Sequence, residues 1–256
     1  MPNVEEILFP RKKERAEERR RERTHRDVLD EVFDRSTLLA VSRLVSRGFL
    51  SEVDYSISTG KEANVFRATS RAGFRALKIY RISNATFRNL PSYALEDLRR
   101  EVGGGSFGRI IFAWARREFM ALKACHKEGV PVPAPIVQHR NLLLMEFLGR
   151  EGLPSPPLHR VVLEDPRETF RQVCEASRAM VDRVGLVHGD LSPYNVLFHE
   201  GHPYLIDLGQ TISRDHPQAR ELLERDAAHF ARYFARWGIP ADVPGTFRAM
   251  GGDRIP

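Results

Sequence analysis

The 256-residue chain holds only two cysteines, Cys125 and Cys174, and neither belongs to a CxxC pair. A disulfide framework or a cysteine-ligated zinc site has almost no basis in such a sequence. Both cysteines fall in segments with helical periodicity, where buried free thiols are expected. Long hydrophobic runs are also lacking, since no apolar stretch approaches the roughly 18 residues that a membrane-crossing helix needs. The amino-terminal MPNVEEILFPRKKERAEERRRERTHRD has no apolar segment of the kind a secretory signal carries. No membrane association is expected, and the expected location is cytoplasmic. Internal repeats are absent, and residues 1–27 form the only tract of biased composition.

Charge is present in quantity but is unevenly placed. Of the net +6, residues 11–26 contribute +5, with nine Lys/Arg against four Glu, so the rest is nearly neutral. A basic arm on a balanced domain suits an electrostatic grip on a phosphate backbone, whose affinity falls with salt. The same composition also suits a solvated tail. The expected division is therefore an arm over 1–27 and a folded domain over 28–256.

Within that domain, DRSTLLAVSRLVSRGFL predicts a short amphipathic helix capped by Ser36 or Thr37, with Leu39, Leu44 and Val45 on its apolar face and Gly48 at its end. YSISTGKEANVFRATSRAGFRALKIYRI alternates apolar and polar residues around an SRAG turn, as two strands do. LPSYALEDLRREVGGGSFGR, with three consecutive glycines, reads as a loop. IIFAWARREFMALKACHKEG returns to helical spacing with Trp114, Phe119 and Leu122 on one face. APIVQHRNLLLMEFLG reads as a strand, a turn and a buried strand. RETFRQVCEASRAMVDRVG and PQARELLERDAAHFARYFARWG read as helices. This order gives an α+β fold with a small sheet-containing lobe and a larger helical one.

The stretch LVHGDLSPYNVLFHEGHPYLIDLGQT, residues 186–211, carries the densest chemistry. Asp190 precedes Asn195 by five positions, and Asp207 follows twelve later, after the apolar YLI. A sparse set of carboxylate and amide oxygens suits magnesium, which completes its shell with water and substrate phosphates. A second aspartate, free of the metal, can accept or orient a hydroxyl proton.

H-G-D-L-x-x-x-N followed by a strand and D-L-G resembles the catalytic and metal-binding loops of the protein-kinase-like fold. That resemblance implies a two-lobed fold, with a β-rich N-lobe over about 28–147 and a mainly helical, shortened C-lobe over about 148–256. Lys78 in ALKIY matches the lysine that holds the phosphates, and Glu118 in WARREF follows in the order expected for its ion-pair partner, with Glu128 a weaker candidate. LLLMEFLG falls at the hinge, with Met145 behind the adenine and backbone groups of Glu146 and Leu148 offered to the base. His188 is expected to fix its loop by hydrogen bonding rather than act as the base.

No G-x-G-x-x-G covers the phosphates. In its place stands STGKEANVF, which is similar to the phosphate-loop signature of the RIO family of atypical serine protein kinases. EVFDRSTLLAVSRLVSRGFLSEVDYSISTGKEANVF, LVHGDLSPYNVLFH and IDLGQTISRDHPQARELLERD extend the resemblance over residues 28–236, toward the first RIO subfamily, which has no winged-helix domain. The resemblance implies a catalytic Asp190, metal ligands Asn195 and Asp207, a phosphate-binding Lys78 paired with Glu118, and a phosphate loop of Ser58, Thr59, Gly60, Lys61, Glu62 and Asn64. It further implies ATP with magnesium or manganese, autophosphorylation on serine, or ATP hydrolysis through an aspartyl-phosphate on Asp207. Help in maturing the small ribosomal subunit is also implied, with the basic arm as a candidate contact for its RNA. Gly189, Pro193 and the DLG sequence depart from many members, and HGDLSPYNVL also resembles the loop of small-molecule phosphotransferases of the aminoglycoside and choline kinase type, an alternative that STGKEANVF disfavours. A further alternative is a nucleotide-sensing assembly factor with little transferase activity. No A-P-E element follows Asp207, and glycine replaces the arginine that reads an activation-loop phosphate.

Overall fold

The computed structural model describes residues 33–82, 91–103 and 106–256. The basic arm lies outside the described residues. Helix α1 (Arg35–Ser46) opens the described chain, and its N-cap is Asp34, whose side chain accepts the Thr37 N–H at 2.7 Å. Capping falls two or three residues earlier than Ser36 or Thr37 because a carboxylate at Asp34 already satisfies a free amide. The buried face of α1 is Thr37, Ala40 and Leu44, whereas Leu39 and Val45 are exposed. The i, i+3, i+7 spacing of the buried set shows the stripe rotated from the one that the leucines suggest.

Strands β1 (Glu52–Thr59), β2 (Ala63–Ser70) and β3 (Gly73–Tyr80) form an antiparallel meander. Helix α2 (Ser92–Val102) follows, where the sequence reads as a loop. Ala94 and Leu98 are buried, Tyr93, Leu95 and Val102 pack half-buried against the core, and Asp97 pairs with Arg117 of the next helix at 3.6 Å. The glycines that obscure it begin only at its end, where Gly103 is the C-cap. Helix α3 (Phe107–Lys127) buries Trp114 and Leu122 on the expected face. Strands β4 (Pro135–His139) and β5 (Leu142–Glu146) complete a five-stranded antiparallel sheet in the order β1-β2-β3-β5-β4.

Because side chains alternate across a strand, the sheet has two buried faces. Phe66, Ala68, Leu77, Ile79, Leu142 and Leu144 pack under α1 in one cluster, while Ala76, Tyr80, Leu143 and Met145 belong to the larger core. Lys78 lies between Leu77 and Ile79 and so points away from α1, toward the helical lobe.

That lobe begins with the small hairpin β6 (Gly149–Arg150) and β7 (Leu153–Pro154). Helix α4 (Pro166–Ala179) runs into a single π-turn over Met180–Val184. Strand β8 (Leu186–Val187), the hairpin β9 (Val196–His199) and β10 (His202–Leu205), and β11 (Ile212–Ser213) precede helices α5 (Ala219–Ala235) and α6 (Val243–Ala249). The architecture is α+β, an antiparallel sheet lobe beside a helical one. Both cysteines are buried and unpaired. Among the described residues, no helix is long and apolar enough to cross a membrane.

Candidate active site

The β9–β10 hairpin explains how residues twelve apart come together. Val196 pairs with Leu205 and His199 with His202, and the Ile206 N–H donates to the Asn195 carbonyl at 3.0 Å. Asn195 and Asp207 therefore stand at the open end of one hairpin. Asn195 Nδ2 donates to the Asp190 carbonyl at 2.8 Å and to its Oδ2 at 3.1 Å, which turns the Asp190 side chain toward the same place.

His188 is buried and serves as a bracket. Its Nε2–H donates to the Ile206 carbonyl at 3.0 Å, while Nδ1 faces the Asp190 N–H at 3.4 Å. Burial holds its pKa below the ordinary value, so the neutral ring that this pattern requires is favoured. Hydrogen bonding to the loop is thus its observed part.

A second anchor comes from α5. Asp226, wholly buried, accepts the N–H of Gly189 at 3.1 Å on Oδ2 and that of Leu191 at 2.9 Å on Oδ1. Arg225 donates to the Gly189 carbonyl, and His229 Nδ1 lies 3.2 Å from the Leu191 carbonyl. Asp190 is thereby clamped between two fixed peptide groups. Gly189 has φ +78°, and a Cβ there would meet the Gln210 carbonyl at 2.9 Å. Sequence motifs did not single out Asp226, Arg225 or His229.

Across the cleft, Lys78 Nζ donates to Glu118 Oε1 at 2.9 Å, to Glu118 Oε2 at 2.8 Å and to Asp207 Oδ1 at 2.7 Å. Burial opposes the charge of this lysine, yet Asp207 and Glu118 outweigh burial and hold its pKa above the ordinary value. Burial lifts the Glu118 carboxyl upward against the attraction of Lys78. Asp207 is held low despite burial by Lys78, and 43% of its side chain remains open to the cleft. Burial raises the Asp190 carboxyl.

The segment after Asp207 is pinned from the helices. Trp114 Nε1–H donates to the Gly209 carbonyl at 3.0 Å, Arg117 to that of Thr211 at 2.6 Å and the Tyr93 hydroxyl to that of Gln210 at 3.3 Å. Gly209 must be glycine here, since an added Cβ would lie 2.7 Å from Trp114 Nε1 and 3.3 Å from Glu118 Oε2. Asp207 itself takes the left-handed conformation, φ 65°.

Lys78, Glu118, Asp190, Asn195 and Asp207 border one cleft of about 480 Å³ between the lobes. Its upper wall carries Ser58, Gly60, Lys61 and Glu62 from the β1–β2 turn, its floor Asp190, Asn195 and Asp207, and its rear Met145, Glu146 and Leu148. Burial lifts Glu62 to a pKa of about 7, aided by Asp207. Thr59 and Asn64 are not among the lining residues. They pair with each other across the turn, and the buried Asn64 Oδ1 accepts from Arg81 at 3.1 Å. At the rear, the Glu146 N–H is committed to the Ala134 carbonyl at 2.8 Å and the Leu148 carbonyl to the Ser155 N–H at 3.0 Å. Glu128 caps the end of α3, away from Lys78.

The donor set fits a hard divalent cation. Lys78 occupies Oδ1 of Asp207 and the Asn195 amide nitrogen is spent on Asp190, which leaves Asp207 Oδ2 and the Asn195 amide oxygen as acceptors. Among the described residues no group of three His, Cys, Asp or Glu could cage a metal alone. That sparseness suits magnesium bridged to phosphate.

A lysine of the sheet tied to a helical glutamate and, across a cleft, to the aspartate of a hairpin defines a protein-kinase-like enzyme. The model of the RIO domain family matches residues 64–245. The chain is 40% identical over 227 residues to the RIO-type serine/threonine-protein kinase Rio1 of Haloferax volcanii, covering 88% of this chain and 78% of that protein. It is 34% identical over 234 residues to the human serine/threonine-protein kinase RIO1, covering 90% of this chain but 41% of that longer one. Among solved structures, the Rio2 kinase from Chaetomium thermophilum superposes with a TM-score of 0.64 at 25% identity, over 85% of this chain and 68% of that one. The same kinase has been solved as an ADP/Mg2+-phosphoaspartate complex, which matches with a TM-score of 0.62, 25% identity, and 85% and 67% coverage. The chain belongs to the RIO family and is a serine/threonine protein kinase of the Rio1 type.

Proposed function

We propose that Asp190 is the catalytic aspartate of this kinase, that Lys78, positioned by its ion pair with Glu118, holds the ATP phosphates, and that Asn195 and Asp207 bind magnesium or manganese. Ser58, Gly60, Lys61 and Glu62 cover the phosphates; Met145, Glu146 and Leu148 border the adenine. The observation that carries this reading is the three-way contact of Lys78 with Glu118 and Asp207, facing Asp190 hydrogen-bonded to Asn195. A bound cation supplies charge neutralisation on the phosphates. The chain's own part is to orient Asp190 toward a hydroxyl proton and to hold the nucleotide in line.

Asp207 has a second use. Its oxygen exposed to the cleft can take the γ-phosphoryl group of ATP with ADP as the leaving group, as the phosphoaspartate in the Rio2 complex suggests, and attack of water on the acyl phosphate would release phosphate and complete an ATPase cycle. The chain passes from β11 at Ser213 to α5 at Ala219, so little chain is available there to dock a peptide. That brevity supports self-phosphorylation, ATP hydrolysis or a substrate held by a large partner. The small ribosomal subunit in the cytoplasm is our choice of partner, approached through the basic arm.

Purified protein given γ-labelled ATP and magnesium, beside Asp190→Ala and Asp207→Asn, tests the site. Acid-stable label lost in both variants supports a serine kinase. Released phosphate with only hydroxylamine-labile label supports the Asp207 cycle. Full label in Asp190→Ala refutes the assignment of the catalytic aspartate.

A further inference from the structure

On the side of the sheet away from the cleft, the end of α1 meets the β4–β5 turn around a depression of about 340 Å³. Arg43, Ser46, His139 and Arg140 line it. Arg47 adds its charge from one turn further on, because its field and those of Arg43 and Arg140 act on His139. None of the three guanidinium groups has a carboxylate partner among the described residues. Clustered cations with no carboxylate partner among the described residues repel one another, and an anionic ligand relieves that repulsion.

Arg140 makes the point sharpest. It occupies the two-residue β4–β5 turn with φ 55°, a conformation that favours Gly or Asn. Its guanidinium also lies 5.0 Å from the centre of the Phe112 ring on α3, which holds it in place instead of letting it sweep through solvent. Beneath the turn, the buried Asn141 donates to Thr37 Oγ1 and to the Tyr80 carbonyl, both at 2.9 Å, so the turn is fixed to α1. The basic residues 11–26 end nine positions before α1 begins.

We propose that this face, formed by Arg43, Arg47, His139 and Arg140, binds the phosphate backbone of RNA at a site separate from the nucleotide cleft. Guanidinium groups match phosphate oxygens in pairs and shed their hydration more readily than ammonium groups do. The face extends the reading of the arm as an RNA contact, and the two can fail separately. Recognition here is of backbone charge and carries no sequence preference.

The test is fluorescence anisotropy of a labelled 20-nucleotide single-stranded RNA between 50 and 200 mM KCl, with three proteins beside the full chain. One lacks residues 1–26, one carries Arg43→Gln, Arg47→Gln and Arg140→Gly, and one carries only the two glutamines, leaving the turn untouched. With a slope of about 0.7 per phosphate contact on a single strand, loss of three contacts lowers the salt slope by about 2 and weakens binding roughly 100-fold at 100 mM salt. The double variant shows about two-thirds of that slope change. ATP hydrolysis stays at the full-chain level in both, because none of these residues borders the cleft.

Wild-type affinity and slope in the triple variant would overturn the proposal, and the arm would then be the RNA contact if its deletion alone abolishes binding. Loss in the triple variant with no effect of the arm deletion sustains the face and rejects the arm. Leu38 and Leu39 are exposed on the same helix. Phosphatidylserine vesicles are therefore the contrasting probe, and an arginine-dependent preference for them over RNA would also overturn it.

Discussion

Replacing Asp226 by Asn tests whether α5 positions Asp190. The carboxyl accepts two backbone N–H groups that flank Asp190, at 3.1 and 2.9 Å. An asparagine of the same shape keeps one acceptor and turns an NH2 group toward the other N–H. One buried hydrogen bond is lost and two donors face each other, a cost of about 1–3 kcal/mol. At about 2 kcal/mol, Tm falls by roughly 4–8 °C for a chain of this size. Relief of that conflict moves the peptide on one side of Asp190, and a displacement near 1 Å lowers kcat by about 100-fold. ATP affinity should hold, since Asp226 does not border the cleft.

A pH series separates this role from simple packing. Burial pushes the Asp226 carboxyl up to about 8 from an ordinary 3.8, against the pull of the Leu191 and Gly189 amides and Arg225. A protonated carboxyl still has lone pairs for both amides. With the folded pKa raised, the associated stability is fully present below about pH 4 and is lost as pH rises through about 8. Asparagine has no proton to lose, so the stability gap between wild type and variant narrows from pH 5 to pH 8 in urea denaturation. A constant gap refutes the burial argument. An unchanged Tm refutes the double acceptance, and wild-type kcat at a lowered Tm refutes positioning.

Three other perturbations follow from the same contacts. Lys78→Met leaves Glu118 buried without its cation and should cost about 3 kcal/mol, the lower end for a broken buried pair because Asp207 can rehydrate. Lys78→Met with Glu118→Gln should recover most of that loss in a double-mutant cycle read by urea denaturation, and additive losses would refute the coupling. Gly209→Ala forces a Cβ to within 2.7 Å of Trp114 Nε1, so it should lower kcat at least tenfold, whereas Trp114→Phe removes only the hydrogen bond and should cost about 1 kcal/mol of stability. Equal activities of Gly209→Ala and wild type would show that the loop moves aside freely. Burial pushes the thiols of Cys125 and Cys174 up to about 12, so iodoacetamide at pH 8 should label neither in the native protein and both in urea.

The parts of the site legible in the sequence are those whose spacing is set locally. Asp190, Asn195 and Asp207 lie on one loop and one hairpin, so their separation is a direct record of the geometry. The alternation of FRALKIY likewise places Lys78 on the face opposite Leu77 and Ile79. Helix α2 was hidden because only Ala94 and Leu98 are fully buried, with Tyr93, Leu95 and Val102 half-buried beside them, amid charges and beside a glycine run.

Asp226 escaped for a different reason, since no local motif marks a residue whose partners lie 35 and 37 positions away. A physical signal existed nonetheless. In α5, Asp226 falls in phase with Leu222, Leu223 and Phe230, so a carboxylate stands on the apolar stripe that must face the core. Glu118 stands the same way in α3, in phase with Ile111, Trp114, Leu122 and Cys125. A charged group on a buried stripe is costly unless paired, so its presence demands a partner from elsewhere in the fold. For Glu118 that partner is Lys78, and for Asp226 it is the backbone on both sides of Asp190. Applied to both helices, one rule reaches the ion pair and the anchor of the catalytic loop alike, and it selects them from the burial pattern rather than from any motif.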